Sequence, residues 1–247
     1  MITVALAELR RMLSRRGLIL TSVIVPVGIV LIVSIARLVL HSRDAAAHPI
    51  VGGASLFEFH QVIVVISVIF GTVIGAMFGA EDVANGTLRY ILLTGYSRVR
   101  LYVTRVPVLL IVAIVVAIPA FVLLAVCALV LPHTGDVGIT TGTVGRALET
   151  LVLTVGIYAL IAYGIGVTIR STGGAIAVAL GLNLIGITLF NLLTLEFPGV
   201  KPWLLDHALL RVTEGGDTSI AIAIVALIVW PSAFLTVGLV RALRTEA

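Results

Sequence analysis

Side chains able to do covalent chemistry are sparse and scattered in this sequence. Glu58, His60 and Gln61 stand in or beside one apolar run, Asn183 and Asn191 in another, and Cys127 is the single cysteine. His60 has no second histidine at ligand spacing, which argues against a metal site or a proton relay, and one cysteine excludes a disulfide framework or a Cys-rich metal site. No GxxxxGK[ST] phosphate loop, HExxH zinc motif or Gly-x-Ser-x-Gly elbow is present. No residue is therefore assigned a catalytic role, and any ATP-driven work must draw on another polypeptide. The chemistry that remains is that of contact. Residues 81–101, EDVANGTLRYILLTGYSRVRL, set two acids and three arginines around a short apolar run.

The elements that must position this stretch are membrane helices. A mean hydropathy of +1.22 with 11% charged residues lies far outside the balance of soluble domains. Crossing a hydrocarbon core of about 30 Å takes about 20 apolar residues in a helix, because each rises about 1.5 Å and every backbone polar group must be bonded internally. Six runs qualify, at 17–40, 57–80, 101–131, 147–169, 174–195 and 218–240. They make residues 1–247 one all-α integral membrane domain. The third run is too long for a straight crossing, so a kink or tilted entry is expected at Pro107 and Pro119. A β-barrel would alternate apolar and polar residues, whereas runs such as VLLIVAIVVAI are apolar on every side. The first run lacks a small-residue cleavage motif and follows a 16-residue basic leader, so it is expected to remain attached.

With both termini in the cytoplasm, 11 of the 16 basic residues fall on the inner side and 5 on the outer side, the bias of retained loops. Residues 81–101 are then cytoplasmic. The net charge of +4 reflects this topology and gives no reason to expect nucleic-acid binding.

Other segments carry patterns of their own. Ile2, Leu6, Leu9 and Leu13 recur at helical spacing, with Glu8, Arg11 and Arg15 toward another face, as in an amphipathic helix lying at the inner interface with arginines toward lipid head groups. Gly71, Gly75 and Gly79 stand four apart, a spacing for close helix packing or a moving seam. Arg37 and Glu58 can pair or snorkel to the outer surface. Asn183 and Asn191, two turns apart, suit interhelical hydrogen bonds or a substrate path. Residues 196–217, with Pro198, Pro202 and Trp203, read as an interfacial or partly re-entrant outer segment.

Within the 81–101 stretch, Asn85 can cap a short helix whose first turn holds Gly86 and Thr87. Leu88, Ile91 and Leu92 then form one apolar face, and Ser97 can cap the helix that re-enters the membrane. An apolar face in the cytosol needs a cover, either the chain's own interfacial helix and the membrane or a groove on a separate protein.

This order of features resembles the cytoplasmic coupling loop of type-2 permeases of ATP-binding-cassette exporters. Glu81 matches the acid that ends the second span, Gly86, Thr87 and Leu88 match a GTL start, and Ser97 and Arg98 match a Ser-Arg turn, with Gly95 or Tyr96 where a proline is usual. The basic leader, the six spans and the long outer segment extend the resemblance over nearly the whole chain. The resemblance implies an exporter permease that pairs with a second copy or a homologous permease, and with a cytosolic nucleotide-binding subunit that supplies the ATP and Mg site. Coupling would run through Glu81, Asn85, Gly86, Thr87, Leu88, Ile91, Leu92, Ser97 and Arg98. Spans one, two and five would line the path, making Gly71, Gly75, Gly79, Asn183 and Asn191 lining candidates for a hydrophobic or amphiphilic cargo: drug, lipid or peptide. The implied location is a plasma membrane, such as a bacterial inner membrane. The reading from another class is a non-transporting membrane sensor or assembly factor whose loop recruits a cytosolic partner.

Overall fold

The computed structural model describes residues 2–44, 52–86, 93, 95, 97–130, 140–213 and 219–244, and among them there are helices and no strand. In chain order these are α1 (Ile2–Leu13), α2 (Arg16–Arg43), α3 (Gly52–Ala84), α4 (Arg98–Val130), α5 (Thr141–Ile169) and α6 (Thr172–Gly181). A π-helical turn at Leu182–Gly186 joins α6 to α7 (Ile187–Glu196). A 3-10 turn (Pro198–Trp203), α8 (Leu205–Thr213) and α9 (Ile220–Arg244) complete the chain. Among the described residues, six helical stretches are long and apolar enough to cross a bilayer: Arg16–Arg43, Phe59–Ala84, Arg98–Val130, Thr141–Ile169, Thr172–Glu196 and Ile220–Arg244. The chain is a multi-pass helical membrane protein.

The helices run past the apolar runs because capping, and not hydropathy, sets their ends. Thr140 accepts the Thr143 amide at 3.2 Å and starts α5 well before its apolar run begins at residue 147, while Ser171 accepts the Gly174 amide and opens α6 directly after the left-handed Arg170 that closes α5. Pro107 and Pro119 are both taken into one unbroken α4. Membrane helices tolerate such prolines where neighbours and local adjustments satisfy the freed carbonyls. Along α4, Val108, Leu109, Val112, Ala113, Val116 and Ala120 are buried, whereas Val103, Ile111, Val115, Val122 and Val126 face outward. This is the stripe of a helix with one protein side and one lipid side.

α5 is the axis of the bundle, packed between α3 and α9. The contact with α3 runs through the glycine row: a Cβ on Gly75 would stand 2.3 Å from the Ala159 carbonyl oxygen, and one on Gly79 would stand 2.4 Å from that of Tyr163. From the other side, a Cβ on Gly166 would meet the Ala76 carbonyl at 2.3 Å. α9 is held by a second close approach, with Gly164 equally tight against Phe234. Lipid tails are as apolar as leucine, so association rests on van der Waals contact, and small residues permit the nearest approach of backbones.

Residues 198–213 fold back into the bundle. Tyr158 donates to Asp206 of α8 at 2.7 Å, and it lies eleven residues inward from Ala147, roughly 16 Å along α5. Trp230 Nε1 donates to the Trp203 carbonyl at 2.9 Å from a similar depth on α9. Residues 198–213 are thus held against α5 and α9.

A methyl group at Gly75 is expected to force α3 and α5 apart and to lower the midpoint of thermal unfolding in detergent by several degrees, a loss of about 1–3 kcal/mol for overpacking. Gly28→Ala is the matched control, since nothing lies within 4 Å of its added Cβ. An equal response in the two variants, followed by circular dichroism, contradicts the packing account.

Candidate functional site

At one end of the bundle three acids and three arginines from different elements converge. Glu81 and Asp82 close the last turns of α3, Arg105 stands two turns into α4, Glu8 and Arg11 lie on α1, and Arg15 sits between α1 and α2. Arg11 Nη2 donates to Glu81 Oε1 at 3.0 Å and to Asp82 Oδ1 at 2.7 Å, and Arg15 donates to the same Glu81 oxygen. Arg105 Nη2 donates to Glu8 Oε1 at 2.9 Å and to Asp82, and its guanidinium lies 5.4 Å from the centre of the Phe78 ring. The six formal charges cancel.

Burial gives this network its weight. Glu8, Glu81, Asp82 and Arg105 are each less than a tenth exposed, and charges withdrawn from water survive only when paired and hydrogen-bonded. The pairing is charge-balanced without being saturated: Glu8 Oε2 and Arg105 Nε are buried and make no hydrogen bond among the described residues. α1, the end of α3 and the start of α4 are therefore tied electrostatically, beside a small gap bordered by Asp82, Arg105, Tyr102 and Tyr163.

The expected coupling loop begins inside this network. The carboxylate of Glu81 is bound to Arg11 and Arg15 of its own chain. Asn85 lies in the turn that ends α3, its amide bonded to the Glu81 carbonyl at 2.9 Å, and Gly86 follows with a left-handed φ of 67° that a side chain would strain. Thr87, Leu88, Ile91 and Leu92 fall outside the described residues. Leu93 is helical and exposed. Ser97 Oγ accepts the Arg100 amide at 3.3 Å, the cap expected for the re-entering helix. Arg98 Nη1 donates to the Ala242 carbonyl of α9 at 3.2 Å. That contact, with the network, brings α1, the end of α3, the start of α4 and the end of α9 to one end of the bundle.

The residues expected to line a path divide. Gly71, Gly75 and Gly79 meet α5, with Val155, Ala159 and Tyr163 as their nearest neighbours. Asn183 sits in the π turn, where Nδ2 donates to Thr72 Oγ1 at 3.3 Å, and borders a cavity of about 450 Å³ between α3, α5, the π turn and α8. The side chains of Asn191 and Glu58 fall outside the described residues. Arg37 lies over the Phe59 ring, 4.3 Å from its centre. His60 is buried, donates from Nε2 to the Ala147 carbonyl at 2.6 Å and meets Phe121 edge-on, a packing role.

The network was only half legible in the sequence. Helical spacing puts Glu8, Arg11 and Arg15 on one face, with the arginines expected toward lipid head groups; Arg11 and Arg15 turn instead to the acids of α3, and Glu8 to Arg105 of α4. The available signal was Arg105, an arginine inside an apolar helix, where a charge needs a partner.

Together the six spans and the buried network define a helical membrane protein with an ionic junction at one end. No model of a known protein family matches the chain, and no curated protein matches it.

Replacing Arg105 by methionine leaves Glu8 and Asp82 buried without their shared cation, an expected loss of about 3–5 kcal/mol. Arg105→Lys, which keeps the charge but cannot reach both acids with one planar fork, should fall between wild type and R105M. Thermal unfolding in lipid nanodiscs provides the measurement, and an R105M protein as stable as wild type would remove the network's structural role.

Proposed function

We propose that the chain is the permease subunit of an ATP-binding-cassette exporter, acting beside a second copy or a homologous permease on two cytosolic nucleotide-binding subunits. The observation that carries this reading is the rooting of the 81–98 stretch. It leaves α3 at a buried ionic junction shared by α1 and α4 and re-enters the bundle through a capped helix. A partner pressing on the apolar face of Leu88, Ile91 and Leu92 would move a loop that is fastened to three elements, so the push would reach the spans and not be lost in a slack linker.

This reading puts the ionic junction in the cytoplasm, in keeping with the basic bias of that side. ATP and Mg belong to the partner subunit, and this chain contributes contact and motion without covalent chemistry. Force travels along α3, whose glycine row lies against α5, toward Thr72 and Asn183 at the cavity. The cargo is a hydrophobic or amphiphilic molecule leaving the cell across a plasma membrane, and in a bacterium that membrane is the inner one.

The decisive experiment is co-purification with a cytosolic ATP-binding-cassette ATPase co-expressed with this chain, followed by L88D and L92D. A carboxylate driven into an apolar groove should weaken assembly at least about tenfold and lower coupled ATP hydrolysis in proportion. In a Cys127→Ser background, a cysteine placed at Tyr90 should react with a membrane-impermeant reagent only from the cytoplasmic side. Unchanged assembly in both variants, or labelling from outside, overturns the reading. A partner that assembles through the loop without ATP-driven transport would instead favour the sensor or assembly factor.

A further inference from the structure

We infer that the cavity between α3, α5, the π turn and α8 is a binding site for lipophilic organic cations, with the Asp206 carboxylate as the counter-charge. Its volume of about 450 Å³ suits a molecule of drug size, and most of its wall is apolar, from Val65, Val68 and Leu184 among others. Its polar groups include Gln61, Thr150, Thr154 and Thr213. Tyr158, Asn183 and Asp206 stand together on the wall, and the same three also border a smaller apolar cavity closed by Phe190 and Trp230.

The charge balance at this wall differs from that of the ionic junction. Asp206 accepts one hydrogen bond, from Tyr158, and among the described residues no arginine, lysine or histidine stands within ion-pair distance of it. α8 sets this acid against Tyr158, at least eleven residues from either end of the spanning helix α5, where a carboxylate without a cation is costly and marks a ligand or ion pathway. A hydrogen bond from Tyr158 moderates that cost without neutralising the charge. A guest with one positive charge on an apolar body supplies both missing pieces: a counter-ion for Asp206 and contact for the aliphatic walls. An anion of the same shape meets repulsion. His207 also borders the cavity, at its α8 side. Asn183 fits the same role as a neutral hydrogen-bonding neighbour, held in place by Thr72.

The test uses the full chain in zwitterionic phosphatidylcholine nanodiscs and an isosteric pair of probes, tetraphenylphosphonium and tetraphenylborate. Trp203 and Trp230 are the chain's two tryptophans and both stand beside this region, so saturable fluorescence quenching reports occupancy, with empty discs correcting for partition into lipid. The expected result is saturable binding of the cation alone, weakened at least about tenfold by Asp206→Asn, which keeps an oxygen to accept the Tyr158 bond. Val65→Phe should weaken it as well, by filling a wall position that is already half exposed. Full affinity in folded D206N, saturable binding of the anion with equal strength, or no saturable binding to wild type overturns the site. Should D206N fail to fold, V65F decides: unaltered affinity there equally rejects the cavity. No ATPase takes part, so this result is independent of the permease reading.

Discussion

Inside a bilayer, helices gain little from hiding apolar side chains, since the solvent they leave is apolar too. What this bundle depends on is the distance between backbones. Where Gly75 and Gly79 meet Ala159 and Tyr163, and where Gly164 meets Phe234, there is no room for even a methyl group. α5 is thereby clasped from two sides, and the groups it presents inherit fixed positions: Ala147 for His60, Tyr158 for Asp206 and Tyr163 for the small gap beside the ionic junction. A looser axis would leave each of those contacts to chance.

α3 joins the two ends of the molecule. His60 anchors its first part to α5, Thr72 reaches Asn183 near the middle, and Glu81 with Asp82 completes the junction at the other end. Because its glycine row is seated on α5, α3 has little freedom to bend between these points. The junction itself is balanced in charge yet leaves two buried polar atoms without hydrogen bonds among the described residues.

How much of this was legible depends on whether a feature is local. Six spans could be read because each exceeds the apolar length a bilayer demands, and Ser97 could be read as a cap from its position before Arg98. Partners are not local. Arg11 and Arg15 show a helical face in the sequence but nothing that distinguishes a lipid phosphate from Glu81, whereas Arg105, isolated among apolar residues, does announce that it needs an acid. The glycine row was legible as close packing, but its partner helix was not. Pro198, Pro202 and Trp203 pointed to an unusual outer segment, yet its depth follows from the Tyr158 and Trp230 contacts. The π turn leaves no compositional trace, because LNLIG differs little from its neighbours.

That turn determines what the second half of the fifth span faces. A π turn accommodates one residue more than an α turn, and one residue of an α-helix corresponds to about 100° of rotation, at 3.6 residues per turn. Everything from Ile187 onward is therefore swung by more than a quarter turn from where a regular helix begun at Thr172 would aim it. Phe190, whose ring meets Trp230 at 5.8 Å, owes its inward bearing to that offset. Shortening the turn by one residue would restore regular winding and aim Phe190 elsewhere, leaving the neighbouring apolar chamber open along one wall.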